Sequence, residues 1–137
     1  MRPLLLDTCA VIWIAEGERL SEASLKVMRD AAADGAQTFV SPITAWEIGL
    51  LVARKRLQMT TTPERWFAAV LALPSMQLAN MAPELLIASS FLPGKPPRDP
   101  ADRIVAATAR DLGATLITRD KVLLDYGKQG HVSVVGC

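Results

Sequence analysis

The 137-residue sequence predicts an α/β fold, one parallel sheet with helices covering both of its faces. Two observations carry this. Short apolar runs of strand length alternate along the chain with longer segments of helical period, the order a parallel sheet needs because each crossover takes a helix. The runs themselves are short and mainly apolar, as strands buried on both faces are. A third observation bounds the size. Half of the residues are hydrophobic, enough for one sizeable core, and the length is that of a single domain spanning residues 1–137.

Taken in order, residues 3–6 read as a short buried strand, followed by a short helix that ends near Gly17. Ser21 caps a second helix to about Asp34, and Gly35 suits its left-handed end. "TFVS" (38–41) reads as another buried strand. Pro42 is well placed as the first residue of a helix. On that helix Ile43, Trp46, Leu50, Ala53 and Leu57 recur at threes and fours and predict one apolar face. Thr62 and Pro63 start a further helix with Trp66, Phe67, Val70 and Leu71. "MQLA" (76–79) reads as a third strand, and Pro83 opens a helix to about Phe91. "LPGKPPRDP" (92–100) is dense in proline and too short for a domain linker, so it reads as a surface loop. Asp99 and Pro100 cap and open a helix ending at Gly113. "ATLIT" (114–118) and "VSVV" (132–135) are the last strands, with a short helix near 121–125 between them.

Composition narrows the function classes. A net charge of +1 advertises no global basic field, although a local basic patch suffices for nucleic acid. Two cysteines, Cys9 and Cys137, make no secreted disulfide framework, so a cytoplasmic setting is expected. No apolar run reaches the roughly 18 residues of a membrane helix, and Asp7 splits the apolar start, which argues against a signal peptide. The single histidine, His131, is expected at a strand start without a chemical role.

Four acids carry the functional signal. Binding sites in such sheets lie beyond the carboxyl ends of the strands. Asp7 ends the first strand, and Glu47 lies early in the helix after the second. Asp102 is in the first turn of the helix before the fourth strand, and Asp120 lies just past that strand. All four are therefore expected at one edge. Each has a structural reading as well. Asp7 suits a turn or cap, Asp102 the helix dipole with Asp99 as the cap, and Asp120 the cap of the following helix. Glu47 suits a surface ion pair, yet Ile43, Thr44, Leu50 and Leu51 at helical reach offer no basic partner. The functional reading is a divalent-metal site. Clustered carboxylates repel unless protonated or bridged by cations, and oxygen-only ligands suit Mg²⁺ or Mn²⁺ rather than zinc. Such a site activates water and steadies charge on a phosphate.

Four segments in order also carry a resemblance. "LLLDTCAVIW" with Asp7, "VSPITAWEIGLLVARKRLQM" with Glu47, "RDPADRIVAATA" with Asp102 and "LITRD" with Asp120 resemble the PIN-domain ribonucleases, in particular the VapC-type toxins of toxin–antitoxin pairs. The resemblance implies a three-layer α/β/α fold and Mg²⁺- or Mn²⁺-dependent RNA cleavage by Asp7, Glu47 and Asp102, with Asp120 assisting. It further implies homodimers and inhibition by a small antitoxin. Two departures bear on RNA preference and local packing. Cys9 stands where relatives often carry His, and Pro97 and Ala101 replace a frequent His and Phe. Asp99 and Arg103 belong to the same signature, Asp99 chiefly as a cap and Arg103 as a phosphate contact or structural partner.

Thr8 and Thr118 are expected to hydrogen-bond the acids or, equally, to satisfy strand ends. Lys95, Arg98, Arg103, Arg119 and Lys121 lie near the predicted edge as candidate contacts to RNA phosphates. "RKR" (54–56) suits a helix C-terminus. Trp13, Trp46 and Trp66 are expected in core or interface packing rather than base stacking. Two rival functions stay open. One is an aspartyl phosphotransferase with Asp7 as nucleophile, although Cys9 stands where such phosphatases place a second acid. The other is a metal-poor scaffold that binds RNA or a protein partner.

Overall fold

The computed structural model describes residues 2–137. Five strands, β1 (Leu4–Leu6), β2 (Thr38–Val40), β3 (Met76–Leu78), β4 (Thr115–Thr118) and β5 (Ser133–Gly136), form one sheet in the order β3-β2-β1-β4-β5. Every pairing is parallel, with Leu5 opposite Phe39 and Leu116, and Leu116 opposite Val134. The helices are α1 (Thr8–Ala15), α2 (Glu22–Ala33), α3 (Pro42–Ala53), α4 (Pro63–Leu71), α5 (Pro83–Ala88), α6 (Pro100–Leu112) and α7 (Lys121–Lys128). This is the three-layer α/β/α architecture that the sequence predicts.

Alternate strand residues feed two separate cores, as the two-residue period of a strand requires. Leu5 and Leu116 pack with Val105, Ala106 and Ala109 of α6 and with Leu123 and Tyr126 of α7. Leu6, Val40 and Ile117 pack on the other face with Ala10 and Val11 of α1 and Val70 of α4, joined by Trp66 and Phe67. Central strands β1 and β4 are fully buried, which explains their unbroken apolar runs.

The helix starts follow the capping residues. Ser21, Ser41, Thr62 and Asp99 each accept a backbone N–H of the helix they open. Gly113 ends α6 in the left-handed conformation at φ 62°.

Three boundaries and one face differ from the sequence reading. α3 stops at Ala53, and Leu57 lies beyond it, because Arg56 N–H turns back to the Leu51 carbonyl and Lys55 takes φ 58°. α5 stops at Ala88 rather than near Phe91, closed by the Ser89 hydroxyl on the Leu86 carbonyl. α7 runs to Lys128, beyond the expected 125. The buried residues of α3 are Thr44 and Ile48; of the predicted Ile43–Trp46–Leu50 stripe, Ile43 packs against the core whereas Trp46 faces outward. Trp46 is 57% exposed. α3 is apolar nearly all round, so periodicity had no single face to select.

Candidate active site

In the strand order 3-2-1-4-5 the chain reverses direction across the sheet between β1 and β4, and a crevice opens beyond the carboxyl ends of those two strands. Asp7 leaves β1 there and caps α1, with its Oδ1 accepting the Thr8 N–H at 2.7 Å. Thr118, the last residue of β4, donates its hydroxyl to Asp7 Oδ2 at 2.6 Å. The Cys9 thiol donates to the same oxygen at 3.4 Å. Asp7 is only 5% exposed. Burial pushes its carboxyl above the usual value, and the bonds from Thr118, Thr8 and Cys9 oppose that rise.

A second arm reaches in from α3. Glu47 Oε1 accepts the Thr8 hydroxyl at 2.6 Å, and Thr8 Oγ1 lies 3.0 Å from the Thr44 hydroxyl. An ionised carboxylate only accepts, so the single Thr8 proton goes to Glu47 and Thr44 is the donor to Thr8. The structure thus adds Thr44 to the site. Its signal in the sequence is its place three residues before Glu47, one helical turn away. Burial raises the Glu47 carboxyl, and Asp7 and Asp99 add to the rise.

The remaining acids come from helix starts. Asp102 lies in the first turn of α6, and its N–H donates to Asp99 Oδ2 at 3.3 Å. Its carboxyl is pushed up to about 7, first by burial and then by Asp120, Asp99, Asp7 and Glu47. Asp120 caps α7 through Leu123 N–H at 3.1 Å, while its own N–H donates to Thr118 Oγ1 at 3.0 Å. One hydroxyl therefore ties Asp7 and Asp120 together. Each of the four predicted acids also does the structural work of the alternative reading or bonds a neighbouring threonine.

No lysine, arginine or histidine forms an ion pair with these four acids among the described residues. Nor do three carboxylate, thiol or imidazole groups there stand close enough to make a finished metal cage. The donor chemistry nevertheless fits a hard divalent cation, being all oxygen, with Asp7 buried and the other three acids half-buried, and uncompensated by ion pairs among the described residues. Cys9 adds no soft ligand, since burial and Asp7 push its thiol up to about 11 and keep it a neutral donor.

The basic candidates divide. Arg119 is engaged within the protein, its guanidinium 3.1 Å from the Trp13 ring centre and donating to the Arg19 carbonyl. Arg103 donates to the Ser89 carbonyl at 3.4 Å, the structural option for that residue. Arg98 and Lys121 are exposed and make no ion pair among the described residues. Trp66 packs in the core and Trp13 lies half-buried under Arg119. The His131 ring lies tilted against Tyr126, with ring centres 5.7 Å apart. A cavity of about 650 Å³ lies at the opposite, amino end of β5 beside Arg2, Arg110 and His131, with none of the four acids in its walls.

Residues 4–129 match the PIN domain family. The chain is 29% identical to Ribonuclease VapC22 of Mycobacterium tuberculosis (strain ATCC 25618 / H37Rv) over 135 residues, 98% of this chain and 99% of that protein. Its fold is similar to a chain in the crystal structure of VapBC2 from Rickettsia felis bound to a DNA fragment from their promoter. There the TM-score is 0.67 at 11% identity, over 97% of each chain. It is also similar to a chain in the crystal structure of FitAcB from Neisseria gonorrhoeae, with a TM-score of 0.56 at 20% identity over 96% of this chain and 95% of that one. With the family match running from β1 into α7 and the four acids at the switch point of the sheet, the chain belongs to the PIN-domain family.

Proposed function

We propose that the protein is a metal-dependent endoribonuclease that acts as the toxin of a toxin–antitoxin pair. The observation that carries the reading is the buried Asp7, with the half-buried Glu47, Asp102 and Asp120, near the carboxyl ends of β1 and β4 and with no ion pair to a protein cation among the described residues. Similarity to a protein named as a ribonuclease supports the RNA substrate. Asp7, Glu47, Asp102 and Asp120 would hold Mg²⁺ or Mn²⁺. Such a cation supplies Lewis acidity that activates water and offsets charge on a phosphodiester. The chain's own residues prepare that site. Thr118 and Thr8 aim the Asp7 and Glu47 carboxylates, and burial with the neighbouring acids pushes the Asp102 carboxyl up to about 7. Arg98 and Lys121 present free cations at the same edge for the phosphate backbone.

The antitoxin and a homodimer belong to this proposal. Exposed apolar side chains support a protein partner, with Phe91 79%, Ile87 64% and Trp46 57% exposed. Among the described residues no helix is long and apolar enough to cross a membrane. The metal-poor scaffold has one observation in its favour, the absence of a finished cage. Asp7 phosphorylation is disfavoured because both of its oxygens already accept donors.

Cleavage of end-labelled RNA by partner-free protein separates these readings. Wild type is expected to cut in Mg²⁺ or Mn²⁺ and to stop in EDTA. Asp7→Asn is expected to lose about a hundredfold or more of the activity with unchanged circular dichroism. Full activity in Asp7→Asn would refute the assignment, and metal-free RNA binding without cleavage would establish the scaffold.

A further inference from the structure

A cavity of about 380 Å³ adjoins the acids, lined by Pro96, Pro97, Arg98, Asp99, Asp102 and Val122. Its apolar wall is two pyrrolidine rings and a valine. Pro97 is buried, whereas Val122 is 51% exposed on the first turn of α7.

The wall is held in place. Gln129, the residue after α7, accepts Lys95 N–H at 2.9 Å and donates to the Lys95 carbonyl at 3.1 Å, as a neighbouring strand would. The Tyr126 hydroxyl donates to the Pro93 carbonyl at 2.7 Å. Between them Gly94 takes φ +70°, and a Cβ there would stand 2.6 Å from Gln129 Oε1 and His131 Nε2. The proline loop is thus pressed onto the end of α7, and its rings are fixed before any ligand arrives.

We propose that this cavity is the subsite for one nucleobase of the RNA strand next to the scissile phosphate. The base lies against Pro96, Pro97 and Val122, and its phosphate meets Arg98. The volume lies in the range of small-molecule pockets. The mix of an apolar face and an unpaired guanidinium matches a nucleotide, which offers a planar base and an anion together. Asp102 in the same lining places the bound nucleotide at the reacting edge. The substrate class rests on the nuclease reading; the base site and its residues go beyond it.

The test is methyl NMR of Val122 in EDTA, titrated with the four nucleoside 5′-monophosphates and with ribose 5-phosphate. At least one nucleotide is expected to shift the Val122 methyls saturably and to bind about tenfold more tightly than the sugar phosphate. Val122→Glu is expected to abolish that preference, followed on the methyls of Leu123 next to it. Arg98→Ala is expected to weaken nucleotide and sugar phosphate alike. Equal affinity for nucleotide and sugar phosphate overturns the base site. So do Val122 methyls that no nucleotide moves, which would leave the wall to a protein partner. RNA that is never cleaved while nucleotides still move Val122 would defeat the nuclease reading and leave this subsite standing.

Discussion

Asp7 sheds nearly all of its hydration and takes three donors in exchange, from Thr8, Thr118 and Cys9. Thr118 is the residue on which most depends, because its hydroxyl donates to Asp7 and accepts from the Asp120 N–H. Thr118→Val keeps the shape and strands both partners. It is expected to destabilise the fold by about 1–3 kcal/mol, read by urea unfolding, and Thr118→Ser is expected to recover most of that. Equal stability of the valine and serine variants would show that the hydroxyl contributes nothing. Cys9 shows how a departure from the family pattern is absorbed. A thiol held neutral donates to Asp7 without adding charge to an already crowded site.

Helix starts do double work at the level of the element. Asp7, Asp99 and Asp120 cap α1, α6 and α7, as the structural reading of these acids expects. A cap fixes where a carboxylate stands at the cost of turning one oxygen toward the backbone. The end of α3 shows the opposite situation. Lys55 occupies the left-handed position of the terminus at φ 58°, where glycine carries no steric penalty. Lys55→Gly is expected to stabilise the protein by about 1 kcal/mol, a rise in Tm of about 4 °C. Calorimetry checks it, and a lower Tm would mean that the lysine side chain contributes more than its backbone strain removes.

Across the whole molecule the raised acids make folding depend on pH. Asp7, Glu47 and Asp102 all have raised carboxyl values, Asp102 reaching about 7. A raised acid holds its proton more tightly folded than unfolded. Its stabilising contribution is complete below the unfolded value and is lost as pH rises through about 7 for Asp102. In EDTA, Tm is therefore expected to fall from pH 5 to pH 8. Asp102→Asn should flatten that fall by about 1 kcal/mol, after allowance for the solvent screening of a half-buried group. Mg²⁺ or Mn²⁺ should restore stability at pH 8 by replacing the lost protons. A Tm in EDTA that is flat with pH would contradict the burial and crowding on which the site reading rests.

The sequence by itself determined the alternation of strands and helices, the caps and the single edge at which Asp7, Glu47, Asp102 and Asp120 stand. Each of these is written in local chemistry: an apolar run, a Ser or Asp before a Pro, a carboxylate a fixed number of residues past a strand. Tertiary structure decided the lateral order β3-β2-β1-β4-β5, which sets β1 beside β4 and brings Thr118 to Asp7 across 111 positions of chain. It also decided which face of α3 turns inward, placing Thr44 against Thr8 and leaving Trp46 outside. A helix apolar on every side carries no orientation signal of its own, so only its neighbours could choose. The same holds for Arg119 over Trp13 and for the proline loop on Gln129, contacts between segments far apart in sequence whose pairing no local pattern encodes.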